Sequence, residues 1–96
     1  MPIDQADLLS AFDNTIAAVG RLEAGGLRTS TGAAAQPLLA RLRADLETRR
    51  REIAAGAALD REWAGGIVRW VAEWIPEREL PLIARLGHIV RLGTGG

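Results

Sequence analysis

The stretch Asp60–Ile75, DREWAGGIVRWVAEWI, carries all three tryptophans of the chain and reads as a single helix ahead of Pro76. At 100° per residue, Trp63, Trp70 and Trp74 fall within about 40° of one another, beside Leu59 and Ile67. That much is an ordinary core stripe. The opposite face is less ordinary, because it holds Ala64, Gly65, Val68 and Ala72 with Arg61 as its one charge. The clearly polar edge is confined to Glu62, Arg69 and Glu73. A helix that is apolar nearly all round is normally buried on two sides. Two arrangements satisfy this: the helix is central to a bundle, or part of it meets another chain. The pair Gly65-Gly66 adds a second choice, since each glycine costs roughly 1 kcal/mol against alanine in a helix interior. The pair marks either a close packing contact or a break, with the firm helix then starting at Ile67.

Working outward, the segments on either side are helical too. Asp4 suits an N-cap and Asp7 suits the positive end of the helix dipole. Leu8, Phe12, Ile16 and Val19, joined by Leu9 and Leu22, then recur at helical spacing until Gly25-Gly26. Pro37 fits the first turn of a second helix. Leu39, Leu42, Leu46 and Ile53 form its seam, Ala35 and Arg49 occupy the remaining seam positions, and Gly56 ends it. The first helix is net acidic, with Asp4, Asp7, Asp13 and Glu23 against Arg21, which favours antiparallel pairing with the arginine-rich second. Pro81 opens a fourth helix with Leu82, Leu86, Ile89 and Val90 on one side. Its end, His88–Leu92 (HIVRL), would also suit a short strand. The expected fold is therefore all-α: one domain over residues 1–92, a bundle of about four helices built on an N-terminal antiparallel hairpin, with a flexible glycine-rich tail at 93–96.

Composition narrows the chemistry. The chain has no cysteine, and its twelve basic residues are all arginine. A disulfide, a thiolate nucleophile, a Schiff-base lysine and a phosphate-loop lysine are thereby excluded. The absence of lysine alongside abundant arginine, alanine and glycine points to a GC-rich bacterial genome. Formal net charge is zero, so no global field draws the chain to nucleic acid or an anionic surface. The opening MPIDQADLLS has acids where a signal peptide needs a basic region. No apolar run approaches the roughly 20 residues that span a bilayer. A cytoplasmic location without a membrane span is expected.

Individual motifs are weak. His88 is the only histidine, with no cysteine or carboxylate cluster to complete a metal site. A nucleophilic triad would have to recruit Ser10, Ser30 or a threonine without a supporting motif. The loop Gly25–Gly32 (GGLRTSTG) has the glycines, hydroxyls and Arg28 of a generic anion cradle ahead of a helix, but it lacks the lysine and spacing of a phosphate-binding loop and reads as a capping loop. The ending Arg91–Gly96 (RLGTGG) resembles the di-glycine terminus of ubiquitin-like carriers over those few residues only; such carriers are β-grasp folds and this chain reads as helical.

Two functional readings follow. The first is a non-enzymatic interaction module, a small adaptor or oligomerising subunit. It docks on a second copy or a larger protein through Trp63, Ala64, Gly65, Val68, Trp70, Ala72 and Trp74. The alternative is nucleic-acid association through Arg41, Arg43, Arg49, Arg50 and Arg51 on the second helix. Against that alternative, Asp45–Arg49, Arg43–Glu47 and Glu47–Arg51 are each four residues apart, and such pairs are worth roughly 0.2–0.5 kcal/mol on a helix surface. No catalytic residue, metal or cofactor is expected.

Overall fold

In the computed structural model, which describes residues 5–76 and 80–93, the chain forms four helices. They are α1 Gln5–Ala24, α2 Gln36–Ala54, α3 Arg61–Trp74 and α4 Leu80–Gly93. The fold is an all-α bundle. Asp4 and residues 94–96, including the di-glycine end, lie outside the described residues.

The helix ends follow from local chemistry. Gly26 and Gly56 take up positive φ (71° and 107°) just beyond α1 and α2, a conformation glycine adopts without a Cβ clash. After α2 the Gly56 N–H donates to the Ile53 carbonyl and the Ala57 N–H to the Glu52 carbonyl, the two bonds that close a helix C-terminus in the Schellman arrangement. Asp60 is the N-cap of α3, its carboxylate accepting from the Glu62 and Trp63 amides at 2.9 and 3.2 Å. α3 then runs unbroken through Gly65-Gly66, so the pair is not a helix break. The HIVRL segment is helix, not strand, and α4 extends to Gly93, the first residue of the expected tail. The Leu82, Leu86, Ile89 stripe continues across that segment, and all three side chains are buried.

α1 and α2 pair antiparallel. Gln5 Nε2 donates to the Ile53 carbonyl at one end, Asp13 meets Arg50 midway, and Glu23 meets Arg43 at the other. α4 lies against both α1 and α3. Every helix contributes to a continuous core: Phe12 and Val19 from α1, Leu39, Leu42 and Leu46 from α2, Val71 from α3, Leu86 and Ile89 from α4 are each 0–1% exposed. One hydroxyl joins them, Thr15, which resolves its burial by donating to the Ala11 carbonyl one turn earlier at 2.7 Å.

α3 packs closely on α4 but stands off from the α1–α2 hairpin. No Cα of α3 lies within 8 Å of one in α1 or α2. Large side chains fill the space between. The Trp63 ring stacks on Phe12 of α1 with centroids 6.2 Å apart, and Arg49 of α2 lies over its ring at 5.3 Å. The α1–α2 loop supplies a further tie, since the Ser30 N–H donates to the Trp74 carbonyl at the end of α3 (3.0 Å).

Leu42 and Leu46 have no exposed surface. Replacing either with alanine should lower stability by about 2–5 kcal/mol, the usual cost of emptying a leucine site. Urea unfolding monitored by circular dichroism reads this directly, and unchanged midpoints for both variants would overturn the assignment of the α2 seam.

Candidate functional site

The expected interaction residues divide between the inside and the outside of the bundle. Ala64 and Trp74 are buried in the core, while Trp63, Trp70 and Val68 are partly buried against it. Gly65 and Ala72 are exposed, together with Arg61, Glu62, Gly66, Arg69 and Glu73. Ala64 therefore leaves the small-residue strip and packs inward. The rest of the apparent all-round apolarity came from glycine and alanine, which lie at the surface as readily as in the interior. α3 is amphipathic, with its tryptophans turned toward the other helices.

Each tryptophan has partners within the chain. Trp70 meets Trp74 edge-on with centroids 5.3 Å apart, and the Arg41 guanidinium lies 5.5 Å from the Trp70 centroid. Cation–π contacts of this kind contribute about 0.5–1 kcal/mol at exposed sites. They also explain why arginine stands in the apolar seam at position 49: its charge faces an aromatic surface instead of aliphatic core. The Trp63 and Trp74 indole N–H groups are buried without an acceptor among the described residues. An unpaired donor of this type costs about 1–3 kcal/mol.

The five arginines of the alternative reading are drawn into the fold. Arg43 pairs with Glu23 through two hydrogen bonds, 2.6 and 3.3 Å. Arg50 pairs in the same way with Asp13, at 2.5 and 3.1 Å. Hydrogen bonding first, and then the charge of that carboxylate, raises each guanidinium above the usual arginine pKa. Arg51 donates to the Thr48 hydroxyl, and Arg41 and Arg49 cover Trp70 and Trp63. Of the three pairs expected within α2, Arg43–Glu47 forms at 3.7 Å. Arg49 turns instead to Glu52 (3.4 Å) and Asp60 (3.9 Å). Asp13 and Glu23 of α1 and the α3 N-cap Asp60 add to the pairs within α2, where Glu47 and Glu52 still meet Arg43 and Arg49.

The loop after α1 is closed on itself. The Thr29, Ser30 and Gly32 amides donate to the carbonyls of Ala33, Trp74 and Thr29, and Arg28 and Ala34 form an isolated antiparallel bridge. These amides are committed to carbonyls, which removes the basis for an anion cradle there.

The concave features include one of about 250 Å³ where Gln5 and Leu8 of α1 meet Ile53 and the 56–59 loop. A cavity of about 190 Å³ lies between α2 and α3, floored by Ile67 and walled by Trp63, Trp70, Arg41 and Asp45, with Gly66 at its rim. A larger groove of about 510 Å³ lies between α1 and α4. It is lined by Asp7, Ser10, Asn14, Arg85, His88 and Arg91 over a base that includes Ala11, Ala84 and Leu92. Sequence reasoning missed it, because its walls are more than seventy positions apart in the chain. The one available signal was that Arg85, His88 and Arg91 sit off the apolar stripe of α4 at intervals of three. Asp7, Ser10 and His88 share this groove, with no side-chain hydrogen bond joining them among the described residues. No group of three or more metal-capable side chains occurs among the described residues, and no helix is long and apolar enough to cross a membrane.

Compared with protein-family models, with curated proteins and with solved structures, the chain matches none.

Titration with duplex DNA or RNA near physiological ionic strength should give no saturable binding, since the α2 arginines are matched by carboxylates, a hydroxyl and aromatic faces. Submicromolar binding that weakens steeply with salt, and is lost when Arg49, Arg50 and Arg51 become glutamine, would restore the nucleic-acid reading.

Proposed function

We propose that the chain is a non-enzymatic helical interaction module that docks through the outward face of α3, with a second copy of itself as the occupant. The observation that carries this reading is the Gly65-Gly66 pair. Neither glycine has a positive φ, and a Cβ built on either meets nothing within 4 Å. Inside the fold the pair therefore relieves no clash and serves no turn, while costing about 2 kcal/mol of helix propensity. A reason for it lies outside the chain, in a body that approaches the α3 backbone closely.

Charge favours a second copy. Glu62 and Arg69 lie equally far on either side of the glycine pair, and both are exposed without an ion pair among the described residues. Two α3 helices crossing antiparallel at Gly65-Gly66 set Glu62 of each against Arg69 of the other. Val68 and Ala72 supply modest apolar contact on the same face. The 190 Å³ cavity begins at Gly66 and is walled by Trp63 and Trp70, so it offers an apolar side chain of a partner the kind of aromatic pocket in which binding energy concentrates. A larger protein that presents an acidic and a basic side chain at the same spacing would use the same face.

Gly65→Ala should raise the stability of the isolated subunit by about 1 kcal/mol, because it restores helix propensity without a clash. Ala72→Glu should leave helicity intact and weaken association. Glu62→Arg and Arg69→Glu should each weaken it, and the doubly exchanged variant should recover it. Sedimentation and circular dichroism on these variants suffice. A wild type that stays monomeric at high concentration, or charge-exchanged variants that associate like the wild type, would refute self-association.

A further inference from the structure

The groove between α1 and α4 differs in chemistry from every other surface described above. Arg85, His88 and Arg91 recur at intervals of three along α4 and so share one side of that helix. Ser10 and Asn14, four apart on α1, face the same space, and Asp7 is the one carboxylate among the lining residues. Arg85 and Arg91 are the guanidiniums of the groove, and Arg91 already has an interaction within the chain. The contrast with α2 is informative, because there each arginine has a carboxylate, hydroxyl or indole partner. Here the Arg85 and His88 side chains have neither an ion pair nor a hydrogen bond among the described residues.

We propose that this groove binds a phosphate monoester. The phosphate group carries three strong acceptor oxygens and up to two negative charges, and the Arg85 guanidinium and the His88 ring stand on one wall to donate to them. Guanidinium suits this task because its planar fork can donate two parallel hydrogen bonds to one phosphate. The Ser10 hydroxyl and the Asn14 amide, across the groove, present a donor and acceptors to the polar body of the ligand. The volume lies in the range of roughly 300–1,000 Å³ typical of small-molecule sites, well above what a bare inorganic anion fills. An organic phosphate is therefore the better match. Asp7 repels additional negative charge at its end of the groove, which orients the phosphate toward α4. The site shares no residue with the α3 face and stands whether or not the chain self-associates.

The same headgroup can come from a soluble ester or from a lipid, so the test uses both: glycerol phosphate in solution, and vesicles containing phosphatidic acid. With the isotopically labelled full chain, glycerol phosphate at millimolar concentration should shift the Ser10, Asn14 and His88 amides saturably, and glycerol alone should not. Arg85→Gln should weaken binding about tenfold or more, as loss of a charge-assisted pair implies, while Asp7→Asn should tighten it. Both positions are exposed, and unchanged circular dichroism verifies that the variants fold. Binding to vesicles but not to glycerol phosphate, again lost in Arg85→Gln, assigns the site to a lipid headgroup. The proposal fails if neither ligand perturbs these amides, or if Arg85→Gln binds both as the wild type does.

Discussion

Phe12, Trp63 and Arg49 come from three different helices and meet in one stack, and the position of α3 depends on it. The backbones of α1 and α2 pair through apolar side chains and cross-helix ion pairs. α3 stands further away than such packing requires, and indole rings bridge the distance. Because Trp63 lies against Phe12 on α1 and under Arg49 of α2, α3 is registered against both members of the hairpin at once. Trp70 lies two turns further along the same face, under Arg41 and edge-on to Trp74. A short domain has little apolar area to bury. Bulky rings let fourteen residues of α3 cover a wide area of the hairpin, at the expense of two indole N–H groups without an acceptor among the described residues.

Much of this architecture was legible in the periodicity of the apolar residues. The α1 stripe, the α2 seam and the α4 stripe all emerged at the expected positions, because burial of large aliphatic side chains has one geometric solution per helix. The seam residue Arg49 was legible as a position but not as a contact, since nothing local indicates that a tryptophan fourteen residues later will cover it. The same limit explains the ion pairs. Reading at four-residue spacing finds partners on one helix, whereas Glu23 and Asp13 reach Arg43 and Arg50 from another. For α3, sequence overstated the apolar surface because glycine and alanine count as hydrophobic without committing to either environment.

The functional surfaces were legible to different degrees. The outward strip of α3 is a local property of one helix, and its glycine pair stands out in sequence alone. What structure added was the finding that the pair is exposed and surrounded by empty space. The α1–α4 groove is nonlocal. Asp7 and Ser10 open the chain and Arg85, His88 and Arg91 close it, and only the docking of α4 along α1 brings the two sets together. No spacing rule anticipates such a juxtaposition.

The hydrogen bond from the Ser30 amide to the Trp74 carbonyl has a consequence for dynamics. It joins the loop between the first two helices to the last turn of the third, across forty-four positions of chain. The neighbouring Thr29 amide is bonded to Ala33 and depends on the loop alone. Hydrogen exchange at these two adjacent amides therefore samples two different opening events. Thr29 exchanges when the loop opens, and Ser30 exchanges whenever α3 lifts from the hairpin, even if the loop remains closed. Sub-global openings of this kind span free energies from near zero up to that of global unfolding. The difference between the two amides separates undocking of α3 from melting of the loop, in a chain whose proposed interaction face is carried on that helix.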